Sequence, residues 1–585
     1  MIVAMKKISV IVEEKDAQAA LGEMRSLGAL HVEHQTMPAG KDISQLQDEL
    51  ALVNQAIGIL SETEFSSKGT EVVLKLEDWK LSARHLVDLR KRYEQLKEYS
   101  LAIKKAISQW QEWGDFDPEE IRQLNGKNIY VRLYQIPVKE IKELSAEVTV
   151  KKVSVKAGLA NCVVISRQKA EMPYKELSLP KMSLPRMRAR LIEDTRVMED
   201  IRNEIAKHAV YIESFIATRK SLEKELELQQ ARRGMGQAGS LVYLTGYAPR
   251  DAVGGILINA KKEKWGILVN EPSVEDAVPT LLSNPRWIAV VEPVFKLLEI
   301  IPGYRELDIS PPFLFFLSLF FGMIIGDAGY GAIYFLLTFW AHKKLAKKIK
   351  DTKVFFLFYI FSACAIFWGL VTGTVFGQEW YLRAGMKPLI PVLNDTKFLQ
   401  TFCFFLGAFH LTLGHGWQAI RKMPSLVAFS DVGWICVLWA AFFLAKTLIL
   451  NDPFPALGKW LIILGLSLVV FCTSPQRNIL KMIGEGLGAM ALSLVNNFTD
   501  VVSYVRLFAV GLAGIAISDT VNALAAGFGG SAPWASMLII FLGHTINIVL
   551  GPLSVLVHGI RLNVLEFSGH VGLSWSGVAY KPLKE

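Results

Sequence analysis

The sequence predicts a mixed fold, in which N-terminal α+β lobes joined by a long antiparallel coiled-coil arm precede an all-α polytopic membrane domain of about eight membrane helices. The first observation is the distribution of charge. Asp, Glu, Lys and Arg supply 89 of the first 310 residues but only 25 of residues 311–560. The second is a series of apolar runs of about 20 residues in the later part, the length that one membrane crossing needs. The third is a helical apolar seam in two charged stretches of the earlier part.

A proximal lobe is predicted from short strands on both sides of the arm. Ile8, Val10 and Val12 alternate with polar residues, as in a half-buried strand, and a short amphipathic helix and a second extended run follow. Residues 238–270 again contain two apolar runs around a helical pattern. We expect residues 1–40 and 238–270 to pack together into one α/β lobe.

The arm is predicted over residues 44–112 and 186–235, where apolar residues recur at alternating three- and four-residue spacing. The seam residues are Leu86, Leu89, Tyr93, Leu96, Ile103, Ile107 and Trp110, and then Leu191, Met198, Ile201, Ile205, Ile212, Phe215, Leu222 and Leu226. Three polar residues interrupt the seam: Asp194, His208 and Arg219. The strand-rich stretch 113–185 is expected to form a distal lobe at the tip. A compact helical bundle is the alternative arrangement.

The membrane domain, residues 311–585, follows a proline-rich linker over 271–310. Its predicted segments are a hairpin over 313–340, helices over 354–376, 398–420, 431–450 and 457–473, a long tilted helix over 484–526 and a last helix over 534–568. Loops rich in Lys and Arg alternate with loops that carry little net charge, which indicates that the basic loops are cytoplasmic. The N-terminus lacks the apolar stretch of a signal peptide, so the soluble half is expected in the cytoplasm as well.

The hairpin prediction follows from this topology. If the soluble half and the Lys-rich loop at 341–353 lie on one side, the run over 313–340 must enter the membrane and return. Gly326, Asp327 and Gly329 interrupt the run and are the expected hinge. Both termini of the membrane domain are then cytoplasmic.

Several classes of function are excluded by composition and spacing. The Gly-Lys pairs lack the spacing of a P-loop, so this chain is not expected to hydrolyse ATP itself. The five Cys residues form no CxxC pair, and we predict no disulfide framework, metal site or cofactor. The net charge of +9 is assigned to solvated helix faces and basic loops, not to a nucleic-acid surface.

Arg506 is the strongest candidate for a functional residue, because it lies deep in an apolar run. An arginine at the bilayer centre costs at least ~2.5–3.5 kcal/mol and keeps its proton at physiological pH. It can therefore act as a fixed cation that favours the ionised form of a nearby carboxylate. A static ion pair with Asp500 or Asp519 is the alternative. Three small residues follow on the same helix face and suit a partner that slides past: Ala509, Ala513 and Ala516.

Other polar residues occur around this position. In the last segment the candidates are His558, Arg561, Asn563 and Glu566, of which His558 and Arg561 are three apart and share a helix face. Upstream of Arg506, four residues are candidates for a water-filled access route: Asn496, Asn497, Thr499 and Asp500. A histidine near neutral pKa can relay protons, but a structural role for His558 is an equal alternative. His410 and His415 are interpreted as packing residues.

These residues lie in motifs that resemble one family, the membrane stator subunit of rotary V-type and A-type ATPases, called subunit a or subunit I. SYVRLFAVGLAG is similar to the segment around the family's essential arginine, and HGIRLNVLEFSG to its last helix. FFGMIIGDAGYG is similar to the first membrane motif, and SNPRWIAVVEPVF and PGYRELD resemble the linker. GYAP stands where the family usually has GWVP. The resemblance covers essentially the whole chain.

The resemblance implies a non-catalytic subunit of an ATP-driven ion-translocating complex in the cell membrane, most simply a prokaryotic plasma membrane. It implies that a ring of proteolipids rotates past Arg506, which takes the ion from each ring carboxylate and separates two half-channels. Arg561 stands at the family's second arginine. The implied partners are the rotor ring, peripheral stalk subunits, the central stalk and ATPase head, and the lipid bilayer, with no nucleic acid. The ion, H+ or Na+, is left open.

The sequence departs from the family at three points. Asp308-Ile309-Ser310 replaces the family's Asp-Pro-Thr, and Gly514 and Gly551 stand where eukaryotic members carry a histidine and a glutamate. The eukaryotic proton path therefore does not transfer residue by residue. A secondary ion transporter built around Arg506, Asp500 and Asp519 is the alternative from another class, although the internal repeats typical of such transporters are not evident. A membrane scaffold with a coiled-coil arm would leave Arg506 unexplained.

Overall fold

The computed structural model describes the chain except residues 63–77, 142–147, 157, 169–171, 175, 348, 350, 378–389, 477, 529–531 and 585. The described residues separate into two compact units. One contains most of residues 9–245, and the other contains the first eight residues and most of the chain from 246 to 582. The N-terminal part is mixed α/β and the C-terminal part is helical, as the charge distribution predicts.

The N-terminal sheet has five strands. They are β1 (Met5–Glu13), β2 (His31–Glu33), β7 (Gly236–Ala238), β8 (Leu241–Pro249) and β9 (Gly266–Asn270). The main strand order is β2-β8-β1-β9, and β7 pairs with β8. Helix α1 (Ala17–Leu27) lies between β1 and β2, and α7 (Val253–Glu263) lies between β8 and β9. Strands from both ends of the N-terminal part therefore share one sheet. The proximal lobe and its bounds stay a prediction.

Four long helices follow the predicted seams: α2 (Lys41–Ser61), α3 (Trp79–Trp110), α5 (Leu184–His208) and α6 (Ile212–Arg233). Helix α2 packs against α6, and α3 packs against α5. Their shared core contains predicted seam residues, including Leu86, Ile205 and Phe215. Asp194, one of the seam interruptions, is buried and accepts an ion pair from Arg190 at 3.0 Å. The coiled-coil arm as a whole stays a prediction.

The second sheet lies between α3 and α5 in the chain. It follows α4 (Pro118–Gly126) and consists of β3 (Tyr130–Pro137), β4 (Thr149–Lys156), β5 (Leu159–Ser166) and β6 (Glu176–Leu177). Their order is β4-β5-β3-β6, and β5 is antiparallel to both β3 and β4. One cluster against this sheet combines Leu133 with Trp110 and Leu184, so the distal ends of α3 and α5 are anchored there.

The linker and the residues after the last helix are held together. Strand β10 (Pro279–Thr280) pairs in parallel with β11 (Val578–Ala579), and α8 (Glu292–Leu297) precedes the first membrane-domain helix. The Glu306 carboxylate accepts hydrogen bonds from the amide and the hydroxyl of Ser574, at 2.7 and 2.6 Å, and from the Gly303 amide at 2.7 Å. Burial alone would raise the pKa of Glu306, but these hydrogen bonds hold the pKa below its usual range.

The helical part of the chain begins at residue 310. Its helices are α9 (Ser310–Ile325), α10 (Ala328–Leu345), α11 (Lys353–Thr372), α12 (Thr396–Lys422), α13 (Ala428–Leu450), α14 (Ala456–Cys472), α15 (Ile479–Ser503), α16 (Val505–Phe528), α17 (Pro533–Ser554) and α18 (Ser568–Val571). Among the described residues, four helical stretches are long and apolar enough to cross a membrane: Lys353–Thr372, Ala428–Leu450, Ile479–Phe528 and Pro533–Val571. The count of eight membrane segments stays a prediction.

The chain reverses between α9 and α10 at the glycine-rich motif. Gly326 adopts the left-handed conformation with φ of 63°, which glycine tolerates without a Cβ penalty. Asp327 then caps α10, since its carboxylate accepts the amide of Tyr330 at 3.0 Å. The other carboxylate oxygen accepts the amide of Gly377 at 2.8 Å, beyond the end of α11. A Cβ on Gly329 would lie 2.8 Å from the Phe376 ring, so this hinge requires a small residue.

The long apolar run over 484–526 lies within one helical stretch, Ile479–Phe528. A one-residue break at Tyr504 separates α15 from α16 within this stretch, and the long tilted helix stays a prediction. Tyr504 is fully buried, and Gly407 on α12 makes room for its ring, which a Cβ there would approach within 2.7 Å. Periodicity gives no signal for this break, because both sides of it are apolar.

Helices α13 and α14 cross at a pair of glycines. A Cβ on Gly465 would lie 2.8 Å from the carbonyl oxygen of Gly433, and a Cβ on Gly433 would lie 2.8 Å from the carbonyl oxygen of Gly465. The two backbones are therefore in direct contact, as small residues permit in membrane helices.

We expect Gly465→Ala to destabilise the chain by about 1–3 kcal/mol, because an overpacked contact forces the two backbones apart. The measurement is the midpoint of thermal unfolding of the purified protein in detergent. Gly416→Ala is the matched control, since a Cβ at Gly416 meets no atom within 4 Å. Equal midpoints for the two variants would contradict a close packing role for Gly465.

Candidate functional site

Arg506 is positioned by the break at Tyr504. Because α15 ends at Ser503, the carbonyl of that residue is free to accept a hydrogen bond from outside the helix. The Nε of Arg506 donates to it at 2.9 Å. This bond directs the guanidinium toward the last helix, where its Nη2 meets the Oε1 of Glu566 at 2.5 Å. The Arg506 side chain keeps 22% of its surface exposed, whereas Glu566 keeps 5%.

Two π-helical segments shape the part of the last helix that carries Glu566. They span Val555–Gly559 and Leu562–Phe567 and follow α17. Pro552, within α17, lacks an N–H, which frees the carbonyl of Ile548. The hydroxyl of Tyr334 donates to that carbonyl at 2.7 Å.

The π segments bring together residues that are five positions apart. In a regular α-helix, positions i and i+5 point to different faces, but π-type i→i+5 hydrogen bonds bring such residues nearly in line. Accordingly, the Nε of Arg561 lies 3.5 Å from the Oε1 of Glu566. One buried carboxylate oxygen is thus shared by two guanidinium groups. The α-helical spacing used above, which paired Arg561 with His558, missed this contact.

The static partners predicted for Arg506 are different from the observed one. Asp500, one of the two, accepts a contact from the Nε2 of His570 at 3.0 Å instead. Asp519, the other, is exposed on α16. The partner is Glu566, which the sequence had placed among the ion-path residues.

A chain of polar side chains runs from Asp500 to Lys422, and we call it the histidine chain. The Nδ1 of His570 lies 2.9 Å from the Nε2 of His415, and the Nδ1 of His415 lies 3.4 Å from Asp431. The Nζ of Lys422 donates to the second oxygen of Asp431 at 2.7 Å. The interpretation of His415 as a packing residue did not include these partners, because sequence spacing does not show that α18 brings His570 to it.

His410 fits the packing interpretation better. Its ring lies between Phe316 and Phe567, with centroid distances of 3.7 and 4.1 Å. Its Nδ1 is 2.8 Å from the hydroxyl of Tyr504. It therefore fixes the buried tyrosine at the break that positions Arg506.

A second polar group, which we call the tyrosine cluster, surrounds the hydroxyl of Tyr330. That oxygen lies 2.7 Å from Ser518 and 2.6 Å from the Nδ1 of His544, and it accepts from Asn547 at 3.2 Å. Asn547 also donates to the carbonyl of Gly514 at 2.9 Å. Sequence analysis did not select Tyr330, Ser518, His544 or Asn547. The cluster joins α10, α16 and α17 at the position where eukaryotic members carry the histidine that Gly514 replaces.

The remaining predicted residues occupy different surroundings. Ala509, Ala513 and Ala516 are all exposed on α16, on the side that the other described helices leave uncovered. Two upstream candidates, Asn496 and Thr499, are exposed on α15. The others are partly or fully buried: His558, Asn497 and Asn563. Among the described residues, no group of three His, Cys, Asp or Glu side chains could hold a metal ion.

No protein-family model matches the sequence. The chain is similar to V-type ATP synthase subunit I of Borreliella burgdorferi, with 30% identity over 620 residues and 100% of both chains covered. V-type ATP synthase subunit I 1 of Treponema pallidum is 28% identical, again over the whole of both chains. A-type ATP synthase subunit I of Methanocaldococcus jannaschii is 25% identical over 65% of this chain and 61% of its own.

A solved structure of the cytoplasmic N-terminal domain of subunit I, homolog of subunit a, of V-ATPase matches 45% of this chain and 99% of its own. Its sequence identity of 14% and TM-score of 0.23 are too low to support a comparison of details. The full-length similarity to the Borreliella protein is decisive by contrast. The chain belongs to the subunit I family of V-type and A-type ATP synthases.

Proposed function

We propose that this chain is the stator subunit of the membrane sector of a rotary ATPase. It forms two ion half-channels against a rotating proteolipid ring and couples ATP hydrolysis or synthesis to the movement of H+ or Na+. The observation that carries this proposal is the position of Arg506. A fixed cation, partly exposed, lies beside a face of α16 that presents Ala509, Ala513 and Ala516 to the outside.

The chemistry follows from the charge of Arg506. Its guanidinium cannot lose its proton at physiological pH, so it acts as a constant positive charge. A ring carboxylate that approaches it is favoured in the ionised form and releases its ion. Glu566 keeps the guanidinium in place between passages, because a buried carboxylate 2.5 Å away is a strong hydrogen-bond acceptor.

Polar residues on both sides of Arg506 support two separate access routes. Asn496, Thr499 and Asp500 precede it on α15, and the tyrosine cluster begins at Ser518 on α16. Twelve residues of helix separate Arg506 from Ser518, a rise of about 18 Å. Arg506 stands between the two routes and opposes a direct leak of cations.

The remaining features belong to the same proposal. The long helices of the soluble half reach peripheral stalk subunits and resist torque, and the central stalk and ATPase head belong to the same complex. The chain spans the cell membrane about eight times, with its termini in the cytoplasm. Arg506 pairs with Glu566, not with the two aspartates on which the secondary-transporter alternative depends, and this favours the stator.

Site-specific photocrosslinking tests the contact with the ring. A small diazirine amino acid at position 513 is expected to crosslink to a proteolipid in the assembled complex, and illumination is expected to stop ATP-driven ion uptake in inverted vesicles. The matched control is the same amino acid at Leu464, which is exposed on α14. Illumination should leave that variant active. Crosslinks from position 513 to lipid alone, with uptake unchanged, would contradict the proposal.

A further inference from the structure

We propose that the histidine chain is a proton relay, through which H+, and not Na+, moves between the surface near Lys422 and Asp500. This inference rests on the proposed function, because it supplies one of the two access routes to Arg506. It goes further in naming the side chains that carry the ion and in assigning the ion as a proton.

Continuity is the first argument for a relay. Four contacts connect five side chains without a gap. From Asp500 the distances are 3.0 Å to His570, 2.9 Å from His570 to His415, 3.4 Å from His415 to Asp431 and 2.7 Å from Asp431 to Lys422. Each imidazole uses both ring nitrogens, one toward each neighbour. A proton can therefore be accepted at one nitrogen and released from the other.

The distribution of exposure is the second argument. The terminal side chains keep contact with the surroundings, since Lys422 is 38% exposed and Asp500 is 28% exposed. The interior members are largely enclosed, with 7% for Asp431, 11% for His415 and 7% for His570. Two accessible ends joined by a buried middle are what a relay requires. A purely structural tie between helices needs no accessible ends.

The location is the third argument. Asp500 lies six residues before Arg506, about 9 Å along a helix. Lys422 is the last residue of α12, next to Arg421, and five residues separate it from the start of α13. The chain therefore leads from one end of the helical part toward the cation that the proposed mechanism places against the ring.

The proton balance is simple. A proton from water at the Lys422 end passes through Asp431 to the Nδ1 of His415, while the Nε2 of His415 gives its proton to the Nδ1 of His570. The Nε2 of His570 gives its proton to Asp500, which delivers it toward the ring carboxylate. One proton is taken up and one is delivered, and no other bond changes. Each imidazole ends in its other tautomer and resets by rotation of the ring.

The same contacts disfavour a metal cation. Hard cations such as Na+ are bound by several oxygen ligands, and the link between His570 and His415 consists of two nitrogens 2.9 Å apart. A proton needs no cavity and passes through the hydrogen bonds themselves.

The test uses the assembled complex in inverted membrane vesicles and measures ATP-driven uptake with a pH-sensitive dye and with radioactive Na+. Glutamine in His570→Gln can still donate and accept hydrogen bonds, so a structural tie survives, but its amide cannot relay protons. We expect H+ uptake to fall at least tenfold in His570→Gln and in His415→Gln with the complex intact. His342→Gln is the matched control, because His342 stacks on Phe355 outside the histidine chain and should keep wild-type uptake.

Rescue provides a second readout. His570→Ala leaves space for a small base, and added imidazole is expected to restore H+ uptake in this variant but not in His570→Gln. Wild-type vesicles are expected to accumulate H+ without Na+. Uptake at the wild-type level in both glutamine variants would overturn the relay, and accumulation of Na+ would overturn the ion assignment. Arg506→Gln in the same vesicles distinguishes a failure of the relay from a failure of the proposed function. If Arg506→Gln abolishes uptake while the histidine variants are normal, only the relay is contradicted.

Discussion

Arg506→Gln is expected to abolish ATP-driven ion uptake, with a loss of at least about 100-fold, while the complex still assembles. Glutamine is neutral, so a ring carboxylate that reaches it gains no preference for the ionised form and keeps its ion. The measurement is uptake into inverted vesicles, with assembly checked in the same membranes. Arg561→Gln is the comparison: this side chain is 55% exposed and 3.5 Å from Glu566, so a smaller loss is expected.

Stability must be separated from transport in this experiment. Removing one partner of a buried ion pair costs about 3–5 kcal/mol when the remaining charge is left uncompensated. In Arg506→Gln the cost is smaller, because Arg561 still lies 3.5 Å from Glu566. Glu566 is buried, so Arg506→Gln alone can weaken the fold. The double variant Arg506→Gln, Glu566→Gln removes both charges and should recover stability without recovering uptake. Recovered uptake in the double variant would show that Arg506 is a structural charge and would contradict the mechanism.

Glu566→Gln is expected to lower ion uptake about tenfold with the complex intact. Without the carboxylate, Arg506 loses its resting partner and holds each ring carboxylate longer, which slows rotation. The rate of ATP hydrolysis should fall in parallel, since the two processes are coupled. Glu485→Gln is the matched control, because Glu485 is exposed on α15 and bonds to Gln476. Normal uptake in Glu566→Gln would mean that the Glu566 contact has no part in transport.

The sequence selected Arg506, Glu566 and Asp500 as candidates, but it did not show which side chains are in contact. Arg506 could be recognised as a candidate because placing an arginine in an apolar membrane segment costs free energy. The three exposed alanines could be selected because helical spacing places them on the same helix face as Arg506. The contact between Arg561 and Glu566 depended on a π segment, because regular helix geometry separates these two positions. The histidine chain depended on a contact between His415 and His570, which are 155 positions apart. No local pattern carries such pairings.

In the fold as well, features that depend on the local sequence were predictable, whereas features that depend on contacts between distant segments were not. The change in charge near residue 310 located the start of the helical part, and strand alternation located β1 and β8. The one-residue break at Tyr504 has no signal in the local sequence, because the tyrosine ring occupies space that Gly407 leaves on another helix. The hydrogen bond from the Tyr334 hydroxyl to the carbonyl of Ile548, which Pro552 frees, likewise joins segments that are far apart in the sequence.

The contacts between the linker and the residues after the last helix have a consequence for synthesis. Glu306 can accept its hydrogen bonds from Ser574 only after that residue, 268 positions later in the chain, has been synthesised. Strand β10 pairs with β11, which lies still further along the chain, since Pro279 is opposite Val578. A ribosome therefore completes all the helices of the membrane domain before the linker can acquire its final partners. The linker is therefore the last part to reach its final structure. In a chain released before Ser574, the partly buried carboxylate of Glu306 would lack these hydrogen bonds.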